Sequence, residues 1–331
     1  MPQDSGPAFG RRSAGALGLA AALGLARTAR AQSWPDRPVR LVVPFGAGGA
    51  VDTLSRTVAN AFPGQTGGQT LVVENRAGAG GTIAGAAVAQ ARPDGGTLMM
   101  ADLGANAIAQ ELMRGLSYDP LRAFQPICHL VNLPLVLVVP AASPAQDVAG
   151  LLRMAKEQPE MPYAHPGIGY VGHLAQELML REAGVRMTPV PYRSGAEVVR
   201  SLVANDTTCS FITVSTSLPF VREGKLRALA VAGKAPVAAL PGVPVMAATL
   251  PGFEAQVWHG IVAPAGLPAE IVAATNRVFN AVLRQPEVRR AVEQVQAGDV
   301  VGGTPEEFGA FIRAEAERWV PVIRAAGLRT E

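Results

Sequence analysis

The amino-acid sequence predicts an α/β fold with mainly parallel sheets, arranged in two lobes. Short apolar, strand-like runs alternate with helical patterns along most of the chain. Glycine-rich turns separate several of these runs from the helix that follows. The long, β-branched run at 127–139 is typical of a strand that crosses between lobes, and 225–231 is a second candidate crossing strand. We therefore expect that one lobe interrupts the other in sequence.

The first elements form two successive strand–helix–strand units. Residues 41–44 are an apolar run, and the helical pattern after it places Leu54 and Val58 on one face. Residues 71–73 begin the second unit, whose helix over 82–91 consists largely of small residues. Both units predict a glycine loop at the carboxyl end of a strand.

The later chain continues the same alternation. A glycine loop over 167–172 precedes a helix that extends to residue 183. The sequence predicts capping boxes at Ser143, with proline in the first turn, and at Thr304, with Glu307 three residues later. The C-terminal helix carries one apolar stripe, which we expect in the core.

Two consecutive glycine loops, 46–49 and 78–81, predict an anion site. Each leaves bare backbone N–H groups ahead of a helix, and such groups attract anions without a basic side chain. In open α/β sheets, ligands lie beyond the carboxyl ends of the strands. Loops on adjacent strands would therefore converge on one spot.

Enzyme chemistry is the weaker alternative. The first loop, followed by Glu74 at the end of the next strand, imitates a dinucleotide-binding motif, but Val51 occupies the third glycine position. The chain has no G-x-x-x-x-G-K-[ST], G-x-S-x-G or H-E-x-x-H motif, and its four histidines lack metal-ligating spacing. We therefore expect no catalytic residue, no metal and no cofactor.

The N-terminal residues 1–31 are typical of an export signal. Paired arginines precede an apolar stretch, and Ala29-Arg30-Ala31 predicts cleavage after Ala31. Cleavage would leave 25 basic and 25 acidic residues. Without a basic excess, the electrostatic footprint of a nucleic-acid binder is missing.

Several segments resemble the Bug-type extracytoplasmic solute receptors of tripartite tricarboxylate transporters. In family order they are WPDRPVRLVVPF at 34–45, VENRAGAGG at 73–81, YDP at 118–120, VPY at 190–192, GKLRALA at 224–230 and GGTPEEF at 302–308. The resemblance implies a type II-like periplasmic-binding-protein (Venus flytrap) fold with the ligand in the interlobe cleft. We expect lobe 1 to comprise 32–127 plus 229–331, and lobe 2 to comprise 128–228.

The same resemblance implies a periplasmic receptor rather than an enzyme. It would capture a small carboxylate through backbone amides, close about a hinge and deliver the ligand to the large and small permease proteins of the transporter. A ligand-sensing role, with a two-component sensor kinase as partner, is the alternative.

Transferred position by position, the resemblance predicts ligand-binding residues in both lobes. Those of lobe 1 are Phe45, Ala47, Gly48, Gly49, Asp52, Gly78, Ala79, Gly80, Gly81, Asp102 and Asn106. Those of lobe 2 are Gly169, Tyr170, His173, Arg193, Ser194 and Thr213.

The chain departs from the family where hydroxyl or other polar groups are usual. The apolar residues at such positions are Val51, Leu103, Ala105, Val171 and Ile212. Each lost donor leaves about 1.5 to 3 kcal/mol of charge-assisted bonding to a carboxylate unmade. Asp102 would place a second negative charge near a bound carboxylate, which is unfavourable. We expect a monocarboxylate with an apolar or aromatic body, packed on Phe45, Val171 and Ile212, and Tyr170 either contacts it or fills the cleft.

Overall fold

The computed structural model describes residues 34–329 together with Met1 and Gln3. Apart from those two residues, the predicted export signal over 1–31 and its cleavage site after Ala31 lie outside the described residues. Within the described part, no helix combines the length and the apolar character needed to cross a membrane.

Strands and helices alternate as the sequence predicts. The strands are β1 (Val39–Val43), β2 (Leu71–Asn75), β3 (Thr97–Ala101), β4 (Phe124–Pro140), β5 (Pro162–His165), β6 (Thr188–Pro191), β7 (Ser210–Thr213), β8 (Leu226–Val231), β9 (Gln256–Pro264) and β10 (Asp299–Gly302). The helices are α1 (Ala50–Ala61), α2 (Thr82–Ala89), α3 (Ala109–Leu112), α4 (Val148–Glu157), α5 (Val171–Ala183), α6 (Gly195–Val203), α7 (Val214–Arg222), α8 (Ala269–Leu283), α9 (Pro286–Arg290) and α10 (Pro305–Ala325). A π-helical turn, Gly104–Ile108, leads into α3.

The first lobe is built on a mixed sheet in the order β10-β4-β9-β3-β1-β2. Its β2, β1 and β3 are parallel neighbours, because Leu41 of β1 pairs with Val73 on one side and with Leu98 on the other. Leu54 and Val58 of α1 are fully buried, as the helical pattern predicts. The carboxyl ends of three adjacent strands therefore lie at one edge of the sheet.

The second lobe places three more strand ends together. Strands β5 and β6 are parallel, and Tyr163 of β5 also bridges in parallel to Cys209, the residue before β7. Strands β7 and β8 pair with β4 in antiparallel fashion. The loops after β5, β6 and β7 thus leave from the same edge.

Strand β4 joins the two lobes, which confirms the crossing strand predicted over 127–139. Its residues up to Pro134 pair with β9, and those from Leu135 onward pair with β7 and β8. The second predicted crossing, over 225–231, is wrong, because β8 pairs only with the second half of β4, and the chain rejoins the first sheet only at β9. Both strands are apolar runs, so their pattern does not say which sheet they join. The lobe boundaries at 127/128 and 228/229 stay a prediction.

One of the two predicted capping boxes is confirmed. Thr304 Oγ1 accepts from the Glu307 N–H, and Glu307 Oε2 accepts from the Thr304 N–H, so α10 begins where expected. The box at Ser143 is wrong, because the cap of α4 is Asp147. Instead of starting a helix there, the carbonyls of Ser143 and Ala145 accept hydrogen bonds from Arg227 Nη1.

The apolar stripe of α10 packs in the core, as predicted, and encloses a carboxylate. Glu315 is 7% exposed, and its Oε2 accepts from Trp258 Nε1 at 3.0 Å and from Trp319 Nε1 at 3.1 Å. Burial raises the pKa of Glu315. This carboxylate links α10 to β9.

Candidate functional site

The three loops that follow β1, β2 and β3 touch one another, and this confirms the predicted convergence. A Cβ at Gly81 would lie 3.1 Å from Pro44 Cβ and 3.3 Å from Ala105 Cβ. A Cβ at Gly104 would lie 2.8 Å from the carbonyl oxygen of Gly80. The loops therefore approach so closely because glycine occupies the contact positions.

The first two loops present mainly backbone to their surroundings. Phe45 is half-buried, and Ala47, Gly48 and Gly49 are exposed ahead of α1. The second loop has positive φ at four successive residues: Gly78 (130°), Ala79 (45°), Gly80 (61°) and Gly81 (89°). Only glycine adopts such angles without a steric cost, so the three glycines fit this path and Ala79 is held in a strained conformation.

The structure places Asp52 in a network that fixes these two loops. The sequence favours Asp52 as the N-cap of the first helix over a role as general base, but that prediction is wrong, because Gly49 is the N-cap and Asp52 is the third residue of α1. Its Oδ2 accepts from Gly48 N at 2.9 Å and from Arg56 Nε at 3.0 Å, and its Oδ1 accepts from Asn75 Nδ2 at 2.9 Å. The hydrogen bond from Arg56 outweighs burial and lowers the pKa of Asp52 to about 2.

This network spans the loops because Asn75 Nδ2 also donates to the Phe45 carbonyl at 3.0 Å. Asn75 ends β2, at the start of the second loop. The Asp52 carboxylate and the Asn75 amide together therefore connect this point to Phe45 and Gly48 of the first loop. The sequence reasoning missed Arg56 and Asn75. The i,i+4 spacing of Asp52 and Arg56 was an available indication.

In the third loop, the side chains of Asp102 and Asn106 both accept hydrogen bonds from backbone N–H groups of the loop. Asp102 Oδ1 accepts from Ala105 N at 3.1 Å, and Asn106 Oδ1 accepts from Asp102 N at 3.1 Å. Asn106 is buried and Asp102 half-buried. Burial of its carboxyl group raises the pKa of Asp102 to about 6. A neutral carboxyl group is therefore accessible near physiological pH.

In the second lobe, three helices begin beside each other. Tyr170, Ser194 and Thr213 are the N-caps of α5, α6 and α7. Ser194 Oγ accepts from Glu197 N at 3.3 Å, which is normal N-capping. A Cβ at Gly195 would lie 3.4 Å from both Ile212 and Thr216, so the N-termini of α6 and α7 are neighbours. Their partial positive charges add at this edge.

Arg193 and His173, both predicted to bind ligand in the second lobe, differ in their exposure to solvent. Arg193 is exposed, and among the described residues its guanidinium has no ion pair. His173 is 2% exposed and lies beneath the loop, where its Nδ1 accepts from Gly169 N at 3.3 Å. Arg193 is therefore open to solvent, whereas His173 contacts the loop backbone.

The two groups of loops face each other across one cleft. A Cβ at Gly169 would lie 2.3 Å from Leu112 Cδ1, so the lobes touch at this point. Burial and, to a smaller extent, the negative charge of Asp102 raise the pKa of Tyr170 to about 12. The structure thus brings predicted residues from both lobes to the two walls of the cleft.

The sequence reasoning also missed His259, on β9. Its ring stands edge-on to Phe45, with centroids 6.0 Å apart, and its Nδ1 lies 3.3 Å from the Ala101 carbonyl oxygen. Burial lowers the pKa of His259 to about 4. The neutral ring therefore supports the first and third loops from the sheet.

Two surface cavities lie apart from this cleft. One of about 490 Å³ is lined by residues that include Trp34, Asn276 and Arg284. The other, of about 330 Å³, lies between α7 and β8 and includes Arg227. No predicted site residue lines either cavity. The chemistry of the converging loops, rather than cavity size, identifies the candidate site.

Comparisons with known proteins agree with this geometry. Residues 54–328 match the family described as "Tripartite tricarboxylate transporter family receptor". A UPF0065 protein from the tcbD-tcbE intergenic region of Pseudomonas sp. (strain P51) is 35% identical over 316 residues, which cover 95% of this chain and 93% of that protein.

Three solved structures share the fold. R. palustris Rpa4515 with adipate superposes with a TM-score of 0.80 at 33% identity, covering 89% of this chain and 98% of that one. The periplasmic binding protein BugD superposes with a TM-score of 0.78 at 29% identity, covering 90% of this chain and 100% of that one. MatC (Rpa3494) from Rhodopseudomonas palustris with bound malate superposes with a TM-score of 0.77 at 31% identity, covering 88% of this chain and 100% of that one.

These matches confirm the resemblance seen in the sequence and the two-lobed periplasmic-binding-protein fold. The family consists of periplasmic solute-binding receptors, which are not a class of enzyme. The chain belongs to the tripartite tricarboxylate transporter family of receptors.

Proposed function

We propose that this protein captures a small carboxylate in its interlobe cleft and delivers it to the large and small permease proteins of a tripartite tricarboxylate transporter. The observation that carries the proposal is the meeting of two sets of helix-initiating loops, one from each lobe, across a contact at Gly169 and Leu112. Relatives with the same fold hold adipate and malate, both of which are carboxylates.

The electrostatics of the loops favour an anion. The N-terminus of a helix carries roughly half a positive charge, and its free N–H groups bind carboxylate oxygens. Asp52 does not oppose this, because Arg56 compensates its charge. Arg193 adds a cation at the N-terminus of α6. A carboxylate between the lobes would therefore meet partial positive charge from both sides.

The ligand we favour is a monocarboxylate with an apolar or aromatic body. Asp102 lies in the cleft wall near Tyr170, and a second carboxylate on the ligand would have to approach it or force it to bind a proton. Of the predicted apolar contacts, Val171 and Ile212 are buried in the protein, whereas Phe45 remains half-buried. We therefore assign the apolar contact chiefly to Phe45 and Tyr170.

Hexanoate and adipate are the sharpest pair of test ligands, because they share a six-carbon chain and differ by one carboxylate. Melting temperatures of residues 32–331 would be recorded with this pair, benzoate, 4-hydroxybenzoate, malate and citrate. A ligand at about 100 times its Kd adds roughly 2.7 kcal/mol to the free energy of unfolding. Stabilisation by hexanoate or an aromatic monoacid supports the proposal. Stabilisation by adipate, malate or citrate alone would keep the receptor and contradict the monocarboxylate.

Delivery to a transporter is tested separately, because a clamp that serves a sensor kinase would bind ligand equally well. Uptake of the labelled ligand would be compared between cells with and without the receptor gene. We expect uptake to fall to background without the receptor and to return when the gene is restored. Unchanged uptake, with a ligand-dependent transcriptional response that disappears, would favour the sensing role.

A further inference from the structure

Two buried histidines stack directly behind the glycine loop of the second lobe. The rings of His165 and His173 lie 3.9 Å apart between centroids and 8° from parallel. Each residue is 2% exposed. His165 ends β5 and His173 lies in the first turn of α5, so the pair connects both ends of the loop between them.

Both histidines accept hydrogen bonds from the loop backbone. Gly167 N donates to His165 Nδ1, and Gly169 N donates to His173 Nδ1, each at 3.3 Å. The two glycines have φ of 142° and 76°, so the loop follows a path that few residues adopt. These bonds therefore hold the N–H groups of a segment that has little conformational preference of its own.

The bonds require neutral rings. An imidazole that accepts at Nδ1 carries its proton on Nε2, and a second proton converts Nδ1 into a donor. Protonation would thus replace a hydrogen bond by two opposed N–H groups. Protonation of both rings would also place two positive charges about 4 Å apart in a buried site.

The surroundings of the pair include few charged groups. Tyr163 lies 5.9 and 6.1 Å from the two rings and donates its hydroxyl to Glu177. Glu177 Oε1 is 3.9 Å from His173 Nε2 and favours a proton there. Burial lowers the pKa of His165 despite the hydrogen bond from Gly167, and burial together with the neighbouring His165 lowers the pKa of His173 to about 3. The thiol of Cys209, near Tyr163, is neutral because burial raises its pKa to about 12.

We propose that His165 and His173 are positioning residues that hold Gly167–Gly169 in the ligand-binding conformation only while both rings are neutral. Acidification then releases the loop and weakens ligand binding. This rests on the proposed function, because the loop matters for affinity only if a carboxylate binds in the cleft that it lines.

The direction of the pH dependence follows from linkage. In the held loop the pKa of each histidine is lowered, and in the released loop it returns to its ordinary value near 6.5. The held state is therefore fully favoured above about pH 6.5 and loses ground as pH falls below it. For each pH unit below 6.5, protonation of one histidine can weaken the Kd by at most about tenfold. Between pH 6.5 and pH 5.5 the limit for the pair is therefore about 100-fold.

The test is the Kd of the tightest ligand from the carboxylate panel, measured by calorimetry at pH 7.5 and pH 5.5 and expressed for its ionised form. We expect the wild-type Kd to rise by more than about tenfold between the two pH values. His165→Gln and His173→Gln keep an oxygen that accepts the backbone N–H but does not titrate. Each should bind at pH 7.5 and lose about half of the logarithmic pH dependence.

His129→Gln is the matched control, because His129 is also buried but packs against Phe308 and Phe311, away from the loop. It should keep the wild-type pH profile. Asp102 in the cleft wall also titrates near pH 6, and its protonation would strengthen carboxylate binding, so the histidine variants are compared in the Asp102→Asn background. In that background, a Kd that changes less than about threefold with both histidines present, or glutamine variants that keep the full profile, would overturn the proposal.

A second measurement does not depend on variants or on a ligand. The amide ¹⁵N–¹H resonances of Gly167 and Gly169 in the wild-type protein should shift together as the pH falls from 7.5 to 5.5. Amides that do not move would contradict the positioning role. Failure of every carboxylate to bind at pH 7.5 would instead contradict the proposed function and leave this titration to decide the role of the pair.

Discussion

Gly169 is the position where a single methyl group should prevent the lobes from closing. Its Cβ would lie 2.3 Å from Leu112 Cδ1, against about 3.5 to 4.0 Å for carbon atoms in contact. Overpacking of this kind typically costs about 1 to 3 kcal/mol. Because the clash arises only where the lobes touch, Gly169→Ala should raise the Kd by about 5- to 150-fold.

Backbone strain is a separate effect that needs its own control. Gly169 has φ of 76°, so alanine there also costs about 1 to 2 kcal/mol in the free energy of unfolding. Gly184, at the other end of α5, has φ of 63° and nothing within 4 Å of its Cβ position. Gly184→Ala should lower the melting temperature comparably and leave the Kd unchanged.

The assay is calorimetric titration of the wild-type protein and both variants with the tightest carboxylate, alongside thermal melts. Adding Leu112→Ala to Gly169→Ala removes the clashing Cδ1 and should recover most of the lost affinity. The reasoning is refuted if Gly169→Ala binds as the wild type does, or if Gly184→Ala loses as much affinity.

Three further changes test other parts of the account. Asp102→Asn removes the charge in the cleft wall, so in calorimetry the Kd of adipate should fall relative to that of hexanoate. An unchanged ratio of the two Kd values would show that Asp102 does not interact with the bound ligand. The pKa of Asp52 is lowered from 3.8 to about 2, so its charge contributes about 2 kcal/mol to stability above pH 3.8 and loses it as the pH falls through 2. Asp52→Asn should therefore unfold at lower urea concentration at pH 7 and lose that difference near pH 2, whereas an equal difference at both pH values would contradict the ionic role. Glu315→Ala leaves two buried indole N–H groups without their acceptor and should cost about 2 to 6 kcal/mol, read from tryptophan fluorescence during urea unfolding. Exposed Glu317→Ala on the same helix should change stability by less than about 0.5 kcal/mol, and equal effects of the two would remove the reason given for Glu315.

The sequence was sufficient for features that depend on local pattern. The alternation of strands and helices predicted that β2, β1 and β3 are parallel neighbours, and the glycines at 78, 80 and 81 marked the loop whose φ values are positive. The box at Thr304 was predictable because both partners lie within four residues. These features need only the spacing of neighbouring residues.

Features that depend on distant partners were not predictable in this way. The strand-like run at 225–231 fits either lobe, and only its pairing with β4 decides where it lies. Where a helix was expected at Ser143, the backbone instead accepts from Arg227, more than eighty residues away in the chain. The stacking of His165 on His173 depends on how the chain turns between β5 and α5.

The most direct test of the account is the binding of hexanoate and adipate to residues 32–331, measured by calorimetry at pH 7.5. We expect saturable binding of at least one of them, with hexanoate the tighter ligand and Gly169→Ala weakened against both. Absence of heat and of any melting shift with either acid and with the rest of the carboxylate panel would contradict the claim that the facing loops form a carboxylate site.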